Sequence, residues 1–133
     1  MSTMILEIVT PERKVYEKEV DMVVVKGIEG ELGILPNHIP FVTPLAIAPL
    51  RAKIGNSEER IAVHGGFMEV HNNRVVILAE AAERSEDIDV DRARRAKERA
   101  EQRLRATKQE NIDFHRAEIA LKKAIVRLDT AKK

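Results

Sequence analysis

Chemistry in this chain has to come from charge, because the usual nucleophiles and metal ligands are missing or scattered. There is no Cys among the 133 residues, hence no thiolate, no zinc–thiolate site and no disulfide framework. The four histidines, His38, His64, His71 and His115, stand far apart, and none forms the i, i+4 helical pair that suits zinc. Ser2, Ser57 and Ser85 sit in no nucleophile-elbow pattern. No GxxxxGK[ST] phosphate loop is present, and Gly27, Gly30 and Gly33 lie among strands before Pro36, where turn geometry accounts for them. The pattern predicts a protein that is not an enzyme, with no catalytic residue and no metal site.

Two basic rows remain. Arg92, Arg95 and Arg99 recur at steps of three and four, which is one face of a helix; Arg116, Lys123 and Arg127 recur at steps of seven and four. Rows of like charge repel unless an anion lies between them. A polyphosphate is such an anion, since Arg forks match its oxygens with paired, charge-assisted bonds. Beside the rows, Ile88 and Ala93 offer a small apolar surface, and Asp89 a carboxylate able to accept from an amino group such as that of adenine. The same spacing suits a solvated helical face laced with pairs such as Arg94–Glu98 and Lys97–Glu101. Spacing alone leaves both readings open.

The elements that must carry these rows follow from a break in composition. All 6 Gly and all 5 Pro lie before residue 67. Residues 1–84 hold 9 basic against 12 acidic side chains, and residues 85–133 hold 14 against 10. The expectation is two domains, 1–84 and 85–133, with the boundary at residues 83–88. In the first, Leu6 and Ile8 alternate with their neighbours until Thr10–Arg13, Val20–Val25 is a β-branched stretch, and Ile61 and Val63 alternate. Asn72-Asn73 between two apolar runs predicts a type I′ hairpin, because Asn tolerates positive φ. In the second, Ala93, Ala96, Ala100 and Leu104 mark one narrow face. Ala117, Ala120, Leu121, Ala124 and Leu128 mark another. Asp87 or Asp89 is placed to cap the first helix and Asn111 or Asp113 the second, with a short polar link at Thr107–Asn111. An antiparallel helical hairpin follows. Its alanine seam removes little apolar area from water, so its packing is weak enough to change. The formal net charge of +1 and the single aromatic of the helical half, Phe114, disfavour a nucleic-acid partner. No run is long and apolar enough to enter a bilayer, and MSTMILEIVT lacks a signal-peptide layout, which points to a soluble cytosolic protein.

Three segments together are distinctive: GELGILPNHIP (Gly30–Pro40), HGGFMEV (His64–Val70) and AEAAERSEDIDVDRA (Ala79–Ala93). In order and spacing they resemble the epsilon subunit of bacterial F-type ATP synthases, above all the Bacillus-type thermophilic members, and the likeness runs from about Leu6 to Leu128. The resemblance implies an α+β architecture, an N-terminal antiparallel β-sandwich of about ten strands followed by the helical hairpin. It implies a central-stalk subunit at the cytoplasmic face of the cell membrane, peripheral and not inserted. The implied partners are the gamma subunit, the rotor ring of c subunits and, when the hairpin extends, the alpha and beta subunits of the catalytic head. A continuous helical stretch of about 46 residues would reach roughly 70 Å, enough for a hairpin that opens and rises to block ATP hydrolysis. The family's I/L-D-x-x-R-A motif stands here as Ile88, Asp89, Arg92 and Ala93, and implies ATP as a regulatory ligand, with or without Mg²⁺. The resemblance adds Glu83 on the adenine side and Arg92, Arg99, Arg116, Lys123 and Arg127 on the phosphates. Lys123 stands where close relatives carry Arg, offering a point charge in place of a planar fork. Rotor-ring contact is implied for the loop holding Glu31 and His38. The alternative is a purely structural stalk coupler without ATP sensing.

Overall fold

The computed structural model describes residues 2–106 and 111–131, apart from the side chains of 111–113. The candidate caps Asn111 and Asp113 and most of the polar link therefore lie outside the described side chains. Eight strands come first: β1 (Met4–Val9), β2 (Lys14–Val20), β3 (Met22–Gly27), β4 (Gly30–Ile34), β5 (Phe41–Ile54), β6 (Ser57–His71), β7 (Arg74–Ala79) and β8 (Ala82–Arg84). Two helices follow, α1 (Val90–Ala106) and α2 (Asn111–Ala131).

The strands form one hydrogen-bonded sheet in the order β2-β1-β7-β6-β5-β3-β4, with β8 beside β6. Every pairing is antiparallel except β1 with β7. The sheet closes over itself, because Tyr16 and Val20 of β2 share one buried cluster with Val23 and Val25 of β3 and Ile34 of β4, from the other end of the strand order. Tyr16 Oη donates to Glu59 of β6 at 2.7 Å across the two layers. Eight strands stand where about ten were expected. The reason is length: β5 and β6 have 14 and 15 residues and run through both layers without a break.

That passage needs a bend. In β6 the inward positions are Ile61 and Val63 on one side of Gly65-Gly66 and Met68 and Val70 on the other, so the alternation changes phase at the glycine pair. Both have positive φ, 80° and 125°, and a Cβ on Gly66 would lie 2.1 Å from the Leu78 carbonyl oxygen. Only glycine fits there. At the same bend β6 exchanges β7 for β8 as its neighbour.

Other local expectations divide. Asn72 and Asn73 take φ of 51° and 60°, as a type I′ turn demands. The Val20–Val25 stretch is not one strand. It breaks at Asp21, whose carboxylate accepts the Gly55 N–H at 2.5 Å. Gly27 and Gly30 bracket a two-residue turn, but Gly33 sits inside β4, where a Cβ would press on Met22 at 2.7 Å. Its place is within a strand and not in a turn.

The helices pack as a hairpin, α2 lying between the sheet and α1. Their seam is Ala93 and Ala100 against Ala117 and Ala124, all buried, and the seven-residue step is the same on both helices. Ala120, expected in the seam, is exposed. The patch joining α2 to the sheet is small: Ala62, Ile88 and Val126, with Ile47 and Ala131 at its edge. Full burial of Ile88 and Val126 contributes about 1.5–3 kcal/mol apiece, far less than the sandwich core.

Candidate functional site

The chain leaves β8 at Arg84, makes one 3₁₀ turn over Ser85–Asp87 and enters α1 at Val90. Asp89 caps that helix: its Oδ1 accepts the Arg92 N–H at 3.1 Å and its carbonyl the Ala93 N–H at 2.9 Å. Of the two capping candidates, Asp89 does the work. The cap also sets direction, because an N-terminus beginning here aims Arg92 and Ala96 at the space between α1, the 3₁₀ turn and α2.

That space is a cleft of about 270 Å³ lined by Glu83, Asp87, Asp89, Arg92, Ala93, Ala96 and Arg127. Five residues expected at a binding site thus meet from β8, the α1 N-terminus and α2. Ile88 does not: it turns the other way and is buried against Ala62 and Val126, holding the hairpin to the sheet. Arg99 and Arg116 are exposed and Lys123 is half-buried, and none of the three lines the cleft. Helical rise explains the separation, since Arg99 stands about 10 Å along α1 from Arg92 and Lys123 about 6 Å along α2 from Arg127.

Glu83 is the best-connected side chain of the cleft. Its Oε1 accepts from Arg127 Nε at 2.5 Å and from His64 Nε2 at 3.1 Å. These donors hold its carboxyl at about 2, down from an ordinary 4.5: the His64 hydrogen bond is the largest cause, partial burial opposes it, and the Arg127 bond and charge add to it. Ion-paired to Arg127, the carboxylate is an acceptor, so the His64 contact is a hydrogen bond in the tautomer that carries its hydrogen on Nε2. His64 itself is 1% exposed, and its Nδ1 has no partner among the described residues.

The arrangement offers carboxylate acceptors and guanidinium donors within one cleft, which suits a ligand carrying both amino hydrogens and negative charge. No group of three or more metal-ligating side chains gathers anywhere among the described residues. Asp87, Ala96 and His64 were not assigned to a binding site by the sequence, which offered Asp87 as a cap and Ala96 in the helical seam. Ala96 stands one turn on from Arg92 and was within reach of the period, whereas Asp87 lies in the 3₁₀ turn before the helix. His64 was out of reach of the period, since its neighbour is decided by the bend after it.

A second surface lies on the sandwich, formed by β4, the turn before it and the start of β5. Ile28, Leu35, Ile39 and Val42 are all exposed there, around a groove of about 570 Å³ formed by Gly27–Leu32 and Phe41–Pro44. Glu31 lines the groove and pairs with Arg51 at 3.5 Å. His38 lies beside it, its Nδ1 bonded to the Ile39 carbonyl at 2.7 Å and its ring 6.0 Å from Phe41. No described helix is long and apolar enough to cross a membrane.

Comparison with known proteins gives consistent results. Residues 3–85 match the family described as ATP synthase, Delta/Epsilon chain, beta-sandwich domain, and residues 86–132 match its long alpha-helix domain. The ATP synthase epsilon chain of Halalkalibacterium halodurans is 60% identical over 131 residues, 98% of either chain. That of Alkalihalophilus pseudofirmus is 62% identical over 133 residues, the full length of both. Among solved structures, a chain in the Euglena gracilis mitochondrial ATP synthase OSCP/F1/c-ring assembly superposes with TM-score 0.82 at 25% identity, over 98% of this chain and 82% of that one. A chain in the Tetrahymena thermophila central stalk/c-ring assembly shares the fold, with TM-score 0.63 at 16% identity over 98% of each chain.

Proposed function

The chain belongs to the epsilon-chain family of ATP synthase central-stalk subunits, which are non-catalytic, and on that premise we propose that its hairpin cleft binds ATP and thereby regulates the enzyme. ATP binds the folded-down hairpin alone and biases it against extension into the catalytic head. The observation that carries this reading is the meeting of Glu83, Asp89, Arg92, Ala93 and Arg127 in one cleft from three separate elements. A volume of about 270 Å³ is below the roughly 300–1,000 Å³ of pockets that take a drug-sized ligand whole. The base and ribose therefore occupy it, and the triphosphate runs out along the hairpin toward Lys123 and Arg99, with Arg116 at the far end. Mg²⁺, if it accompanies ATP, is held by the phosphates and water, in keeping with the small number of protein ligands it usually takes.

The energetics favour a switch. The alanine seam and the small Ala62–Ile88–Val126 patch leave the docked hairpin weakly held. ATP at about 100 times its dissociation constant adds roughly 2.7 kcal/mol to the docked state, shifting the populations about a hundredfold. The sandwich performs the coupling role. Its exposed apolar surface around Ile28, Ile39 and Val42, with Glu31 and His38 beside it, faces the rotor ring of c subunits, and the gamma subunit is its other neighbour. The subunit then sits peripherally at the cytoplasmic face of the membrane.

Calorimetric titration of the full chain with ATP tests the sensor. Binding is expected, with Arg92→Ala and Asp89→Ala each abolishing it; Arg92→Ala is the cleaner, because Asp89 also caps α1. Unchanged ATP affinity in both variants would overturn the assignment and leave a purely structural coupler.

A further inference from the structure

Behind the cleft lies His64, a polar side chain that no binding role yet uses. It is 99% buried on β6, beneath α2, yet it is polar on both sides of its ring. Burying an imidazole in this way is unfavourable unless a partner compensates. One nitrogen has such a partner, Glu83 Oε1, and the other has none among the described residues. The consequence falls on Glu83. With His64 Nε2 and Arg127 Nε both directed at Oε1, the carboxylate cannot rotate without losing two hydrogen bonds. Its Oε2 accepts from no described residue, so it is the acceptor that Glu83 presents to the cleft it lines.

We infer that His64 is a positioning residue that fixes the Glu83 carboxylate so that one oxygen stays available for the amino hydrogens of a bound purine. The inference rests on the adenine-nucleotide reading of the cleft. The geometry distinguishes the two donors to Oε1. Arg127 comes from α2 and leaves with the hairpin when it lifts. His64 belongs to the sheet and stays, as does Glu83 on β8, which pairs with β6 at Ala62. Half of the base-recognition site is therefore preformed on the sandwich, whatever the hairpin does. In the docked state the low pKa of Glu83 agrees with an ionised, acceptor-only carboxylate.

The experiment compares ATP with ITP, which carries a carbonyl in place of the adenine amino group, by titration calorimetry on the full chain. The wild type is expected to prefer ATP. His64→Leu should weaken ATP about tenfold, to the level of ITP, and leave ITP unchanged. His64→Gln, whose amide nitrogen reaches the place of Nε2, should recover most of the preference. A folded His64→Leu protein with the wild-type ATP:ITP ratio, or with both affinities lowered in parallel, overturns the inference while leaving the nucleotide site intact. A wild type that binds neither nucleotide overturns the cleft reading itself. Should His64→Leu fail to fold, the His64→Gln ratio and the ¹⁵N spectrum of the wild-type imidazole decide. An unprotonated Nε2 refutes the positioning bond, and a protonated one with retained ATP preference in His64→Gln supports it.

Discussion

Replacing Glu83 by Gln keeps the shape of the side chain and an acceptor at Oε1 while removing the charge and turning Oε2 into an amide donor, so it tests how far the Arg127–Glu83 ion pair holds the hairpin down. The carboxyl is held at about 2 in the folded protein against 4.5 ordinarily. A shift of about 2.5 units at about 1.36 kcal/mol each sets a ceiling of about 3 kcal/mol. The His64 bond, the largest cause of the shift, stays on the sheet, so only the Arg127 share bears on docking. With Glu83 31% exposed, solvent screening lowers that share to about 1 kcal/mol or less. The sign follows from the direction of the shift. A depressed carboxylate pKa stabilises the docked state fully above about pH 4.5, and the contribution disappears as pH falls toward about 2. Native-state hydrogen exchange of α2 amides, measured on both proteins at matched pH so that intrinsic rates cancel, reads the difference. At pH 6 the α2 amides of Glu83→Gln should exchange up to about fivefold faster than those of the wild type, and the gap should close between pH 4.5 and 2. Equal protection at pH 6 would refute the reasoning, as would a gap that persists at the acid end.

Three further outcomes are expected. Gly66→Ala puts a methyl group 2.1 Å from the Leu78 carbonyl oxygen at a φ of 125°, and should cost about 3 kcal/mol or more, seen as a large drop in the melting temperature of the sandwich. Ala100→Leu overfills the helical seam, where Ala100 is 3% exposed; it should destabilise the hairpin by about 1–3 kcal/mol, with faster exchange in α1 and little change in the β6 core. Asn73→Ala removes a residue at φ 60° whose side chain accepts from the Asn37 N–H and donates to the Thr3 carbonyl, both at 2.8 Å. A loss of about 1–3 kcal/mol in urea denaturation is expected, and Asn73→Gly should recover the backbone part alone.

Local rules were legible in the residues, and their joint outcome was not. Asn72-Asn73 announced its turn because the preference for positive φ is a property of the residue itself. The alanine seam was legible because a 3.6-residue period is a property of one helix. Asp89 was recognisable as a cap for the same reason. Period, however, tells which face a side chain occupies and not how far along a partner helix it comes to rest, so the basic rows could not reveal that Arg92 and Arg127 share a cleft while Arg99, Arg116 and Lys123 stand off from it. Gly65-Gly66 signalled an irregularity, but the phase change it imposes depends on the Leu78 carbonyl lying against Gly66, a contact across the sheet. Strand count failed for a related reason. Nothing within Phe41–Ile54 or Ser57–His71 says that a single strand serves two layers. The position of His64 against Glu83 follows from that bend, which is why no spacing rule found it.

The two long strands have a mechanical consequence. β5 and β6 face each other over thirteen paired residues, and a tug along their axes is shared by the whole ladder at once. The hairpin meets the sandwich through a few side chains, and a tug on α2 strains those one after another, as an adhesive strip is peeled from its edge. Under tension the molecule therefore yields in a fixed sequence, flap first and slab last.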